Sequence, residues 1–383
     1  MPISRIRIRN YKSLEDFTLD MKPFMVFVGP NNAGKSNIFD CLKLLSDFVK
    51  EGIAVVRERG GFEQIVFNGE LGRGISIDLD GAIQVEDSER KYRYFALLGG
   101  DHYGNCFNKG ELLSLREESR DQDLLSFLPD GKLRTWDEGG KELASFGGMT
   151  RDRSYVSYFG DEDRHRFHTR FSREIKSWAF FNLLPPLMGG SLPVQRELGL
   201  KQFGENLSLI LHVLQAEHPQ IFREIEEILK TAVPEIEELT TGLTSHAPGQ
   251  VYVRIREKHL GFNIPSWGMS DGTLRLLGCL ATLYNPEPPP LVCFEEPENY
   301  VHPRLLELIV DLLKNASEKT QVLVTTHSPY FVDRVDPEDL FIVEKEKGKT
   351  QARPVEDPKG VKEALKTLGL GEMWYSGSLG GVP

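Results

Sequence analysis

The chain of 383 residues has little cysteine, no excess of positive charge and no long apolar run, and each shortage closes off a class of function. Its four cysteines (Cys41, Cys106, Cys279 and Cys293) show no CxxC spacing, so reduced thiols are expected rather than zinc ligands or disulfides. No stretch reads as a signal peptide, a bilayer-spanning segment or a lipidation site, and the expected localisation is cytoplasmic. With 57 acidic against 46 basic residues the net charge is −11, so no overall basic field draws in nucleic acid and any such contact must come from a local patch. No heptad pattern is sustained, which excludes a long coiled coil. No internal repeat or low-complexity tract is visible. The 40% hydrophobic content is enough to bury a sizeable core, in one large α/β domain with an insertion or in two ordinary domains.

Periodicity locates the elements. SRIRIRNY alternates charge with isoleucine and MVFVG is a short apolar run ending at glycine, so both read as strands. A helix is expected from about Lys35. Between Gly74 and about Leu143, short alternating segments separated by Gly, Asp and Asn predict an antiparallel β section. The stretch from Arg164 to Lys230 reads as mostly helical. VYVRIRE and LGFNI read as a hairpin, followed by a helix SDGTLRLLGCLATLY opened by a Ser/Asp cap. Then come strand LVCF, helix RLLELIVDLLKNA, strand QVLVTT, a turn at HSP, a hairpin LFIVEKEKGKTQARPV and a short helix VKEALKTLG.

Gly29-Pro-Asn31-Asn32-Ala33-Gly34-Lys35-Ser36 fits GxxxxGK[ST] and lies between a strand and a helix, which is the context this phosphate-binding loop requires. Its glycines let backbone N–H groups converge on phosphate oxygens at a helix N-terminus, where the dipole also favours negative charge. Lys35 would reach the β and γ phosphates and Ser36 would bind Mg2+. A glycine-rich turn that binds nothing needs neither the lysine nor the serine.

The apolar run LVCF ends in two adjacent carboxylates, Glu295 and Glu296. An unpaired buried charge costs several kcal/mol, so such a doublet needs a reason. In phosphate-loop enzymes a second apolar strand ends in an acid on the Mg2+ side, often followed by one that polarises the attacking water. Glu295 then takes the first role and Glu296 that of general base. The extra methylene of glutamate over aspartate at position 295 suits a water-bridged contact better than direct ligation. The alternative is that the pair caps a helix following Pro297.

With IRIRNYKS before the loop, GPNNAGKSN itself, GMSDGTLRLL, FEEPENYVHP and VLVTTHSP in this order, the sequence resembles the ABC-type ATPases of the SMC, RecF and OLD (overcoming lysogenisation defect) group. It is most similar to their short RecF-like members. The motifs cover both ends of the chain, about half its length. The resemblance implies an α/β P-loop NTPase fold: an ABC-type head domain with an antiparallel β subdomain and a mixed β/helical insertion. The implied parts are residues 1–100 (first half of the core), 101–244 (insertion) and 245–383 (second half). It also implies ATP and Mg2+ as cofactors and a head-to-tail homodimer with two ATP molecules at its interface. Ser270, Asp271 and Gly272, as the signature, would contact the γ-phosphate bound to the other copy, and His327 would sense it. Asn10, Lys12 and Asn37 would lie near the nucleotide, with Lys12 reaching a phosphate or standing as an exposed strand-end lysine.

Departures from the family pattern are specific. The signature reads SDG, with Asp271 in place of the first glycine, and Val301-His302 stands where transporters carry an LD pair. His302 is read as a cross-dimer contact or as a residue opening the helix before Pro303. Gln64 is a weak candidate for the glutamine that links nucleotide to conformation. OLD relatives end in a Toprim nuclease domain, for which there is no room after His327, so this chain alone is expected not to be a nuclease. Arg151, Arg153, Arg164, Arg166, Arg170, Arg173 and Lys176, interleaved with aromatics, read either as a nucleic-acid track or as a charged face over a buried aromatic stripe. Arg5, Arg7 and Arg9 read as the charges of an exposed edge strand.

Two functions compete on these grounds. One is an ATP-driven switch in DNA repair or antiviral defence that closes and opens a dimer to act on DNA or on a separately encoded nuclease or effector. The other is an ATP-gated scaffold with negligible turnover. A GTPase reading fails because the only NKx stretch, at Asn108, lacks the guanine-reading aspartate.

Overall fold

The structure, a computed structural model, describes residues 3–86, 88–101, 103–117, 121–158, 165–245, 249–358, 361 and 369–381. The chain forms two compact units. The first comprises residues 1–178, 341–356 and 379–383, and the second residues 179–340 and 357–378. Residues 101–178 of the segment expected as one insertion fall in the first unit, with strands and the helix Arg166–Lys176, and residues 179–244 fall in the second, with both helices and strands. Arg164 and most of the expected helix VKEALKTLG lie outside the described residues.

The first unit is built on an eight-stranded sheet. Its strands are β1 (Ile3–Tyr11), β2 (Leu14–Asp20), β4 (Ile75–Val85), β5 (Ser88–Gly100), β6 (Cys106–Leu115), β7 (Gln122–Phe127), β8 (Leu133–Trp136) and β9 (Glu142–Phe146), in the order β2-β1-β4-β5-β6-β7-β8-β9. All of these pairings are antiparallel. β1 thus lies between β2 and β4, which corrects its reading as an edge strand. Its isoleucines are buried on one face, while Arg5, Arg7 and Arg9 stand on the open face and pair with Asp20 and Asp16 of β2. That compensation leaves the arginine row with little net positive field. β3 (Phe24–Val28) is buried at every position, as a strand covered on both faces must be. Phe27 meets Phe39 edge-on at 6.0 Å and Phe341 at 5.7 Å, contacts worth about 0.5–1.5 kcal/mol each beyond area burial.

The helix Arg166–Lys176 turns Phe167, His168, Phe171 and Ile175 inward and leaves Arg166, Arg170 and Arg173 exposed. Phe171 packs on Tyr92 and Tyr94, each at 5.0 Å. The aromatic stripe is thus core, not a stacking surface, and Arg166 and Arg153 are paired with Glu86 and Asp152. Two groups on this helix prefer to be neutral. Burial pulls His168 down to about 4 and its Nε2 lies 2.9 Å from the Leu124 carbonyl oxygen. Burial pushes Glu174 up to about 7 despite Arg170 4.0 Å away. A raised carboxyl contributes stability that is full below its unfolded value and lost as pH rises through its folded value. Replacing Glu174 by glutamine is therefore expected to raise the unfolding midpoint at pH 8 by several degrees, with a ceiling of about 3 kcal/mol, and to change it little at pH 5. Thermal unfolding of both proteins at the two pH values checks this, and a gain at pH 5 equal to that at pH 8 would sink it.

The second unit contains β10 (Ala179–Phe181), β11 (Leu192–Pro193), β12 (Ile236–Leu243), β13 (Gln250–Glu257), β14 (Asn263–Pro265), β15 (Leu291–Glu295) and β16 (Gln321–Thr325). β10, β15 and β16 run parallel, whereas β11, β12 and β14 pair antiparallel with β13. Between β11 and β12 lie the helices Leu207–Glu217 and Pro219–Ala232, so the region expected to be mostly helical also contains strands. The helix Asp271–Leu283 is buried at every position from Thr273 to Thr282, Arg275 included. The chain then returns to the first unit as the antiparallel hairpin β17 (Leu340–Glu346) and β18 (Lys349–Pro354). No helix among the described residues is long and apolar enough to cross a membrane.

Candidate functional site

Each unit carries part of the motif set. In the first, the helix Lys35–Glu51 starts directly from the glycine-rich loop, with Gly34 as its N-cap at φ 102° and Asn32 also left-handed at φ 66°. Alternation of this kind turns successive N–H groups toward one concavity, the arrangement that binds anions. The glycines are required by space. A Cβ at Gly34 would lie 2.0 Å from Thr350 Oγ1, and one at Gly29 would lie 2.1 Å from the Val343 carbonyl oxygen. Behind the loop, Thr350 Oγ1 donates to the Ala33 carbonyl at 2.7 Å, and Asn37 Nδ2 donates to Ser13 Oγ at 2.7 Å. Asn37 therefore braces the loop, while Asn31, Asn32 and Ser36 are exposed on it and Ala33 is buried. Lys345 Nζ lies 3.3 Å from Asn32 Oδ1. The Lys35 ammonium, 6% exposed as a residue, donates to the Gly29 and Pro30 carbonyls at 2.7 and 3.1 Å. A compact cradle with a buried cation suits a polyphosphate.

The NYK segment is placed otherwise engaged. Asn10 Nδ2 donates to the Gly74 carbonyl at 3.0 Å. The Lys12 ammonium pairs with Asp40 of the loop helix, which also accepts from Tyr11 Oη at 2.5 Å and faces Arg59. Burial alone would raise the Asp40 carboxyl, but the hydrogen bonds from Lys12 and Tyr11 and the charges of Lys12 and Arg59 hold it below the usual carboxylate range. Gln64 is exposed on the short helix Phe62–Ile65, whose Ile65 carbonyl accepts from the Lys12 N–H at 2.7 Å.

In the second unit the buried strand β15 delivers Glu295 and Glu296 to its C-terminal end. Glu296 takes a left-handed conformation, φ 46°, and its N–H donates to the Thr325 carbonyl at 2.9 Å. After Pro297 the chain forms a turn and not a helix, so the pair does not cap one. The Glu296 carboxylate is half-exposed: Oε2 accepts from Asn299 Nδ2 at 2.5 Å, and His327 Nε2 lies 3.9 Å from Oε1. Glu298, two residues on, is buried and accepts from the Thr326 hydroxyl, which in turn accepts from the Ser328 N–H at 3.0 Å. Burial pushes the Glu298 carboxyl above the usual range, Thr326 only partly offsetting it. The turn thereby ties the acid strand to the histidine segment. On the other side, Ser270 caps the helix Asp271–Leu283 through a 3.1 Å bond from the Thr273 N–H, Asp271 sits exposed in its first turn, and a Cβ on Gly272 would lie 2.8 Å from the Tyr300 carbonyl oxygen. His302 accepts from the Arg304 N–H at 3.2 Å and so opens the short helix beginning at Pro303.

Sequence patterns drew no attention to Asn299, Glu298 or Arg275. Asn299 and Glu298 act through a turn whose shape no local periodicity encodes. Arg275 did carry a signal, because a lone charge inside an all-round apolar helix demands a buried partner. Among the described residues no three His, Cys, Asp or Glu side chains cluster as a metal site. The Ser36 hydroxyl in the first unit and the Glu295 carboxylate in the second are each an oxygen donor of the kind that Mg2+ accepts.

The chain is similar to known proteins over most of its length. The chain is 24% identical over 366 residues to the OLD nuclease of Thermus scotoductus (strain ATCC 700910 / SA-01), covering 90% of this chain and 62% of that protein. It therefore spans less than two thirds of that relative. Two solved structures share the fold at low identity. An SMC head bound to the C-terminal winged-helix domain of ScpA superposes with a TM-score of 0.54 at 15% identity, over 94% of this chain and 100% of that one. The SMC head with a coiled coil and joint from Pyrococcus yayanosii gives 0.52 at 11%, over 96% and 100%. The fold is accordingly that of a P-loop NTPase of the ABC-type head class. A family model, described as "AAA domain, putative AbiEii toxin, Type IV TA system", matches residues 24–333, and the chain belongs to this family of ATP-binding P-loop ATPases.

Proposed function

We propose that the chain is a Mg2+-dependent ATP hydrolase that pairs with a second copy around bound ATP and uses the opening and closing of that pair to act on DNA or on a partner effector. The observation that carries this reading is the Glu296 carboxylate, half-exposed at the end of a buried strand, hydrogen-bonded to Asn299 and 3.9 Å from His327. A carboxylate held from one side with an oxygen still open is what a general base for water requires.

Each group's role comes from its chemistry. The loop N–H groups and the Lys35 ammonium bind the phosphates. Ser36 and Glu295 would hold Mg2+, which when bound neutralises phosphate charge. Glu296 accepts the proton of the attacking water, and His327, beside it, faces the same developing charge. Ser270, Asp271 and Gly272 would meet the nucleotide of the second copy. A face that a second copy covers should carry exposed apolar surface, and Trp267, Phe262 and Tyr300, each at least 60% exposed, flank this signature in sequence or contact. The relative named as a nuclease and the toxin–antitoxin wording of the family description support an effector that acts on nucleic acid in defence or repair.

Sedimentation of Glu296→Gln with and without ATP and Mg2+ tests the pairing. A shift to twice the monomer mass with ATP is expected, and a protein that stays monomeric at saturating ATP would overturn the dimer. ATP-driven pairing with no turnover in the unaltered protein would favour the scaffold instead.

A further inference from the structure

Arg275 has an unusual setting. It lies five residues after Ser270 on the helix Asp271–Leu283 and is 1% exposed. Its guanidinium does not meet a carboxylate head-on. Nη2 donates to the main-chain carbonyls of Glu296 and Glu295 at 2.5 and 3.2 Å, and Nη1 donates to the Leu183 carbonyl at 2.9 Å. Its Cζ sits over the Tyr300 ring, 5.8 Å from the centroid. Glu296 and Tyr300 are both left-handed, at φ 46° and 65°. A non-glycine residue holds that conformation only where its surroundings over-determine it. Here the arginine grips both ends of the strained turn, through the carbonyl of one residue and the ring of the other.

We infer that Arg275 is a positioning residue that sets the Glu296 carboxylate for catalysis, by fastening the acid turn to the helix that begins at the Ser270–Gly272 signature. This rests on the reading of Glu296 as the general base. Its regulatory consequence is direct. Gly272 abuts the Tyr300 carbonyl at the start of the helix, and Arg275 holds the Glu295 and Glu296 carbonyls about one turn further along. A push or pull on the signature by a second copy therefore reaches the base without passing through a flexible segment. Turnover would then depend on whether the signature is engaged. The fork geometry explains the choice of arginine, since lysine can present its protons from only one point.

The test uses the full chain carrying Arg275→Met, which keeps an apolar stem and removes the donors, and Arg275→Lys, which keeps the charge. Steady-state ATP hydrolysis gives kcat and KM, and hydrogen exchange gives the protection of the amides of residues 296 and 298–301. For Arg275→Met the expected results are a kcat lower by about a hundredfold, the usual consequence of a displaced catalytic group, with KM changed less than about threefold. Exchange at Asn299 and Val301 should be at least tenfold faster, while the amides of β15 and β16 keep their protection. Arg275→Lys should recover about tenfold in kcat. A kcat within twofold of the unaltered protein overturns the inference, as does a loss of kcat matched by KM and by exchange throughout the unit, which marks general destabilisation. Should the methionine variant not fold, the lysine variant decides by the same criteria, its kcat then expected below that of the unaltered protein. If the unaltered protein hydrolyses no ATP, the proposed activity fails. The exchange measurement still decides whether Arg275 holds the turn, and unchanged protection in the variants rejects it.

Discussion

Replacing Glu296 by glutamine is expected to lower ATP turnover by about three orders of magnitude while leaving nucleotide affinity nearly unchanged. The substitution is isosteric, so the left-handed backbone, the N–H bond to Thr325 and the grip on the residue's carbonyl by Arg275 are all retained. An amide oxygen can still accept from Asn299, which bonds the side chain at 2.5 Å. What glutamine cannot do is accept the water proton. The loss should therefore fall on kcat and not on KM, the pattern of an interaction made only in the transition state. Steady-state hydrolysis together with equilibrium ATP binding separates the two. A variant retaining more than a tenth of the activity would show that another group takes the proton. A variant that lost affinity in step would show that Glu296 acts on bound nucleotide and not on water.

The parts of this molecule that were legible in the sequence are those whose chemistry is local. The phosphate loop announces itself because the turn, the lysine and the first helical residue are contiguous. The Ser270 cap needs only the N–H three residues on, and a buried parallel strand writes itself as an apolar run, as LVCF and QVLV do. Interactions set by distant partners left no such trace. The alternation LEDFTLD of β2 is short enough to escape notice, and with it the fact that β1 is an interior strand whose arginines face aspartates across the sheet. The aromatics of the helix Arg166–Lys176 can be assigned to core or surface only once Tyr92 and Tyr94 are placed beneath them. Glu298 and Thr326 are equally silent, and Arg275 signals only that it needs a buried partner, not which one. Their partners lie 20 or more residues away, and polar groups inside a core are fixed by the groups that satisfy them rather than by propensity.

Changing Lys35 to methionine is expected to weaken ATP binding several-hundredfold and to leave the fold intact. The ammonium is buried and donates to the Gly29 and Pro30 carbonyls. Those carbonyls belong to a loop independently braced by Thr350, Ser13 and Asn37, so methionine, of similar length, can fill the space while the loop keeps its shape. The cost to stability is then about 1–2 kcal/mol, from two carbonyls that lose a donor. Binding loses more, because a cation in a largely dry cradle makes charge-assisted bonds to phosphate. Two such bonds account for about 3–4 kcal/mol, which is a factor of several hundred in affinity. The β-phosphate contact is common to ADP and ATP and the γ-phosphate contact is not, so ATP should suffer the greater loss. Titration calorimetry with each nucleotide measures both, alongside thermal unfolding of the free protein. Equal affinities in the variant and the unaltered protein would refute the assignment of Lys35. A loss confined to stability would mean that the ammonium serves the loop alone and that phosphate is met only by its N–H groups.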